Sequence, residues 1–232
     1  MAHEIRNPLT ALGGFAKLLD RNVPEESKEK KYTKIIVSEA TRLEKILRSV
    51  LTLTKDAPLN KEKQSINEIV NDSLEVFHVV AEEKSINVHT HMMNTPHILA
   101  DKVHIREVID NILSNSIDAM PNGGELTVAT GTKHQEDEAF VTVEITDTGG
   151  GIAEDKLSRI FEPFFTTRAA GNAQGIGLGL SISKRIMEEH GGFIRVESEA
   201  GKGTTFRLFF PSQLNSTDLD SLPSGPQTTG AA

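Results

Sequence analysis

At 232 residues, with 37% hydrophobic and 25% charged side chains, the chain is long enough for one large or two modest globular cores. The absence of cysteine excludes disulfides, thiolate metal sites and thiol nucleophiles and fits a reducing compartment, while a formal charge of −8 argues against a grip on nucleic-acid backbones, which comes from clustered Lys and Arg. No apolar run approaches the roughly 18 residues of a membrane span and the start lacks a signal peptide's pattern, so this part is expected to be cytoplasmic.

Residues 1 to 57 read as a helical hairpin. In the first arm Ile5, Leu9, Leu12, Ala16 and Leu19 recur at helical spacing; in the second, Ile35, Ile36, Leu43, Ile46, Leu47, Val50, Leu51 and Leu53 do the same. Arg21 to Lys31, polar and carrying Pro24, connects them. Two helices alone cannot cover both stripes, so a second copy completing a four-helix bundle, hence a homodimer, is expected. Asp56-Ala57-Pro58 breaks the pattern and marks a domain boundary, with 58–64 read as linker.

From there helix and strand alternate, predicting an α+β chain whose second domain, 65–211, is an α/β sandwich. Ser65 caps a helix to about Lys84, with Glu68 completing a capping box. Ile86 to Met92 is a strand, Asp101 opens a helix to Met120, and Pro121-Asn122-Gly123-Gly124 is a turn. Leu126–Lys133, Ala139–Thr146, Phe193–Glu197 and Thr204–Phe210 read as strands of one mixed sheet, and Leu180–His190 as a helix. The Ser-, Thr-, Gly- and Pro-rich stretch 212–232 is expected to be disordered.

Four segments of the second domain carry chemistry. Asn111 and Asn115 stand four apart, on one helix face. Asp147-Thr148-Gly149-Gly150-Gly151-Ile152 puts a carboxylate at a strand end beside glycines that let a flat ligand approach the backbone. Phe161-Glu162-Pro163-Phe164-Phe165 is an apolar cluster in a polar loop, and Gly175-Ile176-Gly177-Leu178-Gly179 opens a helix whose free amides favour phosphate. Taken singly, each is more often a solvated face or an ordinary turn; in one domain and in this order they suit magnesium, base and phosphate recognition. The glycine spacing is not that of a dinucleotide fold, and Gly201-Lys202-Gly203-Thr204 lacks the upstream glycine and direct Lys-Thr pair of a phosphate-binding Walker loop.

These segments resemble the N box, two glycine boxes and F box of the GHKL (Bergerat) ATP-binding fold. With the opening His3-Glu4-Ile5-Arg6-Asn7-Pro8-Leu9-Thr10, the chain from 1 to about 211 resembles the catalytic core of bacterial sensor histidine kinases, and among them the sporulation kinases of bacilli. The resemblance implies ATP and Mg²⁺ as cofactors. Asn115 would hold the metal through its amide oxygen, with Asn111 in support. Asp147 would accept the exocyclic amine of adenine, with Gly149 and Gly151 leaving room for the ring. Residues 153–174 would form a lid anchored by Phe161, Phe164 and Phe165. Gly175, Gly177, Leu178 and Gly179 would serve the phosphates, with Thr204 also lining the site. Asp118 departs from family members that carry a base there, leaving Arg168 as the candidate for cationic help.

By the same resemblance His3 is the phospho-acceptor, Glu4 its proton acceptor and Asn7 the residue that orients water for dephosphorylating a partner. An exposed imidazole and a helix carboxylate are bland features on their own; the surrounding motif is what singles them out. Pro8 inside the helix removes a hydrogen bond and implies a kink near His3. The implied partners are a second copy and a response-regulator receiver domain. A small antikinase inhibitor protein could dock on the bundle, and membrane contact would come only through a sensing region upstream of Met1. A hydrolytic GHKL clamp is disfavoured because its water-activating Glu would stand where Asn111 is, and an amide cannot take the proton. A dimeric scaffold whose nucleotide site only regulates shape is disfavoured by the intact Asn115, Asp147 and loop glycines. His89 and His91 share a strand face without an apparent third ligand, as expected of a solvated edge rather than a metal site.

Overall fold

The structure, a computed structural model, describes residues 2–54, 59–135, 138–166 and 177–212, with side chains in that set except at 2–7, 9, 45, 46 and 48–54. Compactness divides these residues into two units. One holds the first two helices with residues 159–166 and 177–182; the other, rich in β-structure, holds the rest.

In the first unit α1 (Ala2–Asn22) runs through Pro8 and is followed by α2 (Lys28–Thr54). The turn between them closes through Ser27 N–H donating to the Pro24 carbonyl at 3.1 Å, and Ser27 Oγ then accepts from Lys30 N–H, starting α2. Asp20 faces Lys30 and Thr33 while Gly13 lies opposite Ala40 and Glu44, so the helices run antiparallel. Among the described side chains the seam between them is made of small or polar residues: Gly13, Ala16, Thr33 and Ala40 are buried together with Lys30. Leu12, Phe15, Leu18, Leu19, Ile35, Ile36 and Leu43 are all exposed. Of the predicted stripes, Leu12, Leu19, Ile35, Ile36 and Leu43 therefore face away from this seam, while Ala16 lies in it.

The β-rich unit begins with β1 (Glu62–Gln64), antiparallel to β3 (Ile98–Ala100). Residues 58–64, expected as linker, thus contain a strand at 62–64. Glu-Lys-Gln shows no apolar alternation because the pairing rests on backbone hydrogen bonds. The main sheet has the order β2-β4-β5-β7-β6, from β2 (Ile86–Met92), β4 (Gly124–Gln135), β5 (Glu138–Asp147), β6 (Phe193–Glu199) and β7 (Gly203–Pro211). Among the described residues its β2–β4 pair is parallel and its other pairs are antiparallel.

Side-chain alternation separates the two faces of this sheet. Val141, Val143 and Ile145 of β5 with Phe206 and Leu208 of β7 are sealed beneath the helices. Glu144, Arg207 and Glu197 form a charged row on the other face. The covering helices are α3 (Ile66–Glu83), α4 (Lys102–Ala119) and α6 (Gly179–Glu189); a single turn, α5 (Glu154–Leu157), lies inside the stretch expected as a lid. Local chemistry sets the starts of the long ones. Ser65 Oγ accepts from Glu68 N–H, and Asp101 Oδ1 accepts from Val103 and His104 N–H. Among the described residues no helix is long and apolar enough to cross a membrane.

Candidate nucleotide site

The amphipathic pattern of α4 decides where its amides go. Ile105, Val108, Ile109, Ile112 and Leu113 take the buried face, each at 0% exposure. Asn111, Asn115 and Asp118, spaced four and three apart, share the half-buried polar face. Asn111 Nδ2 donates to Ser183 Oγ of α6 at 2.9 Å, which commits its nitrogen and leaves the amide oxygen as the group able to meet a cation. Asp118 receives the Lys84 ammonium at 3.0 Å, so a positive charge does stand beside the position where the sequence lacks a base.

Asp147 ends β5 and is 3% exposed. Its Oδ1 accepts from Gly149 N–H at 2.9 Å. Burial pushes its carboxyl up from the ordinary value, while the Gly149 amide, the Ser116 hydroxyl and the Thr204 amide favour the charged form and only partly compensate. Ser116 faces this carboxylate from α4 without completing a regular hydrogen bond, and its Oγ is among the buried polar atoms with no partner. Thr204, paired with Asp147 across the β5–β7 ladder, is also held by a 2.9 Å contact between its hydroxyl and that of Ser198.

The glycines after Asp147 are required by the protein's own packing. A Cβ on Gly149 would lie 2.7 Å from the Ala119 carbonyl oxygen. One on Gly151, at φ +64°, would lie 2.0 Å from the Glu199 carbonyl oxygen. Backbone therefore stands where a side chain would point at both positions, so packing alone requires glycine there. Gly150 differs: a Cβ there meets nothing within 4 Å.

Residues 159–166 and 177–182 form a second group of candidates, with its own geometry. Phe161 and Phe165 are half-buried, and the Arg159 guanidinium lies 4.6 Å from the Phe165 ring centroid. Phe164 is 62% exposed at φ +66°, a left-handed conformation rare for a bulky side chain. Gly177, at φ +73°, passes so close to Phe165 that a Cβ would sit 2.5 Å from its carbonyl oxygen. Leu178 is buried, and its carbonyl accepts from Ser181 Oγ and Ile182 N–H as α6 starts at Gly179. Arg168 and Gly175 lie outside the described residues. So do the side chains of His3, Glu4 and Asn7, whose backbone belongs to α1.

The structure thus brings Asp147, Gly149, Gly151 and Thr204 together with α4, the bearer of Asn111 and Asn115. Ser116, Ser183 and Lys84 were not found from the sequence. The two serines interrupt otherwise apolar helix faces, which is the one signal that could have flagged them. His89 bonds Glu125 at 2.5 Å on an exposed edge, and among the described residues no cluster of three His, Asp or Glu could hold a metal.

Residues 1–58 match the family model for the His Kinase A (phospho-acceptor) domain, and residues 100–214 match that for the histidine kinase-, DNA gyrase B- and HSP90-like ATPase. Sporulation kinase E of Bacillus subtilis (strain 168) is 37% identical over 94% of the chain, which spans 28% of that protein. Sensor histidine kinase ZraS of Escherichia coli (strain K12) is 35% identical over 94% of the chain and 45% of its own length. The chain therefore spans less than half of these relatives. Among solved structures, full-length ShkA in complex with AMPPNP aligns with a TM-score of 0.75 at 26% identity, over 91% of this chain and 45% of that one. Histidine kinase ThkA in complex with response regulator protein TrrA aligns at 0.63 and 30% identity, over 91% and 60%.

Proposed function

Because the chain belongs to the histidine kinases, matching both their phospho-acceptor domain and their ATPase, we propose that it binds Mg-ATP and moves the γ-phosphoryl group onto His3. From there the group passes to an aspartate of a response-regulator receiver domain. The observation that carries this reading is Asp147. A buried carboxylate with its charge disfavoured calls for a donor, and the exocyclic amine of adenine is one, whereas guanine offers a carbonyl at that place. The unpartnered Ser116 hydroxyl beside it supplies a further polar contact for the base or a bridging water.

Amide oxygens suit a hard cation, and Asn115, supported by Asn111, is the proposed Mg²⁺ holder. A bound Mg²⁺ would offset negative charge on the terminal phosphates. Gly175, Gly177 and Gly179 would lend amides to the phosphates where α6 begins and its dipole favours anions. Phe161 and Phe165 would anchor a lid carrying Arg168. In the transfer itself the lone-pair nitrogen of neutral His3 attacks the γ-phosphorus, the bond from that phosphorus to the bridging oxygen breaks, and ADP departs. The proton on the other ring nitrogen passes to Glu4.

Asn7 would place a water against the phosphorylated partner, giving a dephosphorylating activity. The exposed stripe of the hairpin would be covered by a second copy, and a small inhibitory protein would compete for the same bundle. The division of the chain near residue 58, which would let the two domains move, and the tail from 212 belong to the same proposal, as does any membrane attachment through an upstream region.

Incubation with γ-labelled ATP and magnesium tests it. Label should appear on the protein, be lost in acid, survive alkali and vanish in His3→Gln. Acid-stable label on Ser or Thr, or free phosphate without labelled protein, would refute the transfer.

A further inference from the structure

A buried imidazole outside these contacts ties together the two helices that the nucleotide reading depends on. His190 follows directly on α6 and is 7% exposed. Its Nδ1 lies 2.7 Å from the Ile186 carbonyl oxygen, and its Nε2 lies 3.0 Å from the Asp101 backbone nitrogen. A carbonyl only accepts and an amide N–H only donates, so both bonds require the neutral ring with its proton on Nδ1.

The far side of this bond is the N-cap of α4. While the Asp101 amide is held by His190, its carboxylate accepts from Val103, His104 and Asn60 N–H. Lys61 Nζ donates to the Glu189 carbonyl oxygen at 2.7 Å. The end of α6, the start of α4 and the first residues of the β-rich unit thus meet in one cluster. A second tie, Asn111 to Ser183, joins the same two helices closer to the nucleotide end.

We propose that neutral His190 is a positioning residue for nucleotide binding: by accepting the Asp101 amide it holds α4, with Asn111 and Asn115, in register with α6, which the phosphate-binding glycines lead into. This rests on the nucleotide reading given above. Protonation would set an N–H at Nε2 against the Asp101 N–H, donor against donor, and break the tie.

The groups facing the ring are Asp101 and His104 from α4, Lys61 from the residues leading into β1, and the Ile186 carbonyl. Burial lowers the imidazole below its ordinary value. The Ile186 carbonyl opposes this, Lys61 and His104 add to the lowering, and Asp101 opposes it. The unfolded chain therefore binds this proton more readily than the folded one. The tie is complete above the ordinary histidine value of about 6.5 and is lost as pH falls below that through the folded value.

The test is Mg-AMPPNP affinity of the whole chain by calorimetry, at about pH 7.5 and at steps down to the lowest pH at which the chain stays folded, for the wild type and His190→Gln. The Gln amide oxygen can accept the Asp101 N–H and does not titrate. Both proteins should bind alike at the higher pH. At the lowest pH the wild type should weaken by about tenfold more than the variant, since it alone loses the bond. An identical pH response in the two proteins overturns the role of His190 and leaves the nucleotide site standing. No binding by the wild type at the higher pH overturns the nucleotide site and this role with it.

Ring-nitrogen shifts of wild-type His190 give a reading that needs no variant. They should show an Nδ1–H tautomer at neutral pH and a titration that the Asp101 amide and the α4 amides follow. A ring that titrates without moving the Asp101 amide overturns the proposal.

Discussion

The hairpin and the β-rich unit bury different things. In the β-rich unit Ile105, Ile109 and Ile112 of α4 and Val143, Ile145 and Leu208 of the sheet reach 0% exposure. Among the described side chains of the hairpin the buried ones are Gly13, Ala16, Ala40, Thr33 and Lys30, while Phe15 is 72% and Leu12 52% exposed. Its polar end is fastened by Lys30, whose ammonium meets the Asp20 carbonyl, the Asp20 carboxylate and Glu25. The β-rich unit carries its own core, whereas the hairpin spends its seam on small and polar residues and keeps its apolar surface for another surface to cover. Burial of an aliphatic side chain is worth about 1.5–3 kcal/mol, so that surface is where the hairpin's missing stability lies.

A cavity in the core is the harshest way to test this contrast. Ile109→Ala should destabilise the β-rich unit by about 2–5 kcal/mol in denaturant unfolding and leave self-association of the hairpin unchanged. A common loss of both would show that the units fold as one. Asp147→Asn comes next. It should weaken ATP binding by about 100-fold, the cost of replacing a charged acceptor in a buried site, again without changing self-association. Unchanged affinity would refute the adenine contact. Smaller still is Ile36→Ser on the open face of α2, 44% exposed in the single chain. It should weaken self-association by about 1–2 kcal/mol in sedimentation and leave ATP affinity as it was. An unaffected assembly would place the contact on another face.

The same contrast explains what was legible in the sequence. Features set by near neighbours could be read directly: Ser65 and Asp101 as caps, the turn at Pro121–Gly124, Asp147 at a strand end, and Asn111 and Asn115 on one helix face. Partners far apart in the chain could not. Ser183 stands 72 residues from Asn111, and His190 stands 89 from Asp101. No local pattern links such pairs, because only the fold brings them within bonding distance. The strand at Glu62–Gln64 was not legible for a related reason, its pairing being to residues 98–100 through backbone rather than apolar side chains. The apolar stripes of the hairpin were legible as helical periodicity. That Leu12, Leu19, Ile35, Ile36 and Leu43 point away from the intrachain seam was not, since Gly13 and Ala40 carry too little side chain to register in such a pattern and Ala16, counted with the stripe, faces the seam instead.

Glycine gives the mildest test, and its sign should differ between the two regions. At Gly149 an added Cβ would press on the Ala119 backbone at 2.7 Å, so alanine there has nowhere to go. Gly14, in the middle of α1, has helical neighbours and nothing within 4 Å of where a Cβ would stand. Glycine in a helix costs about 0.5–1 kcal/mol relative to alanine through backbone freedom in the unfolded chain. Gly14→Ala should therefore raise the thermal stability of the isolated hairpin fold by about that amount. The measurement also reads the second surface. If alanine stabilises the chain at low concentration but weakens self-association, the open space at Gly14 is where the second copy makes its close approach. If it stabilises both, the helices of the two copies meet along the Leu12, Ile36 and Leu43 side instead.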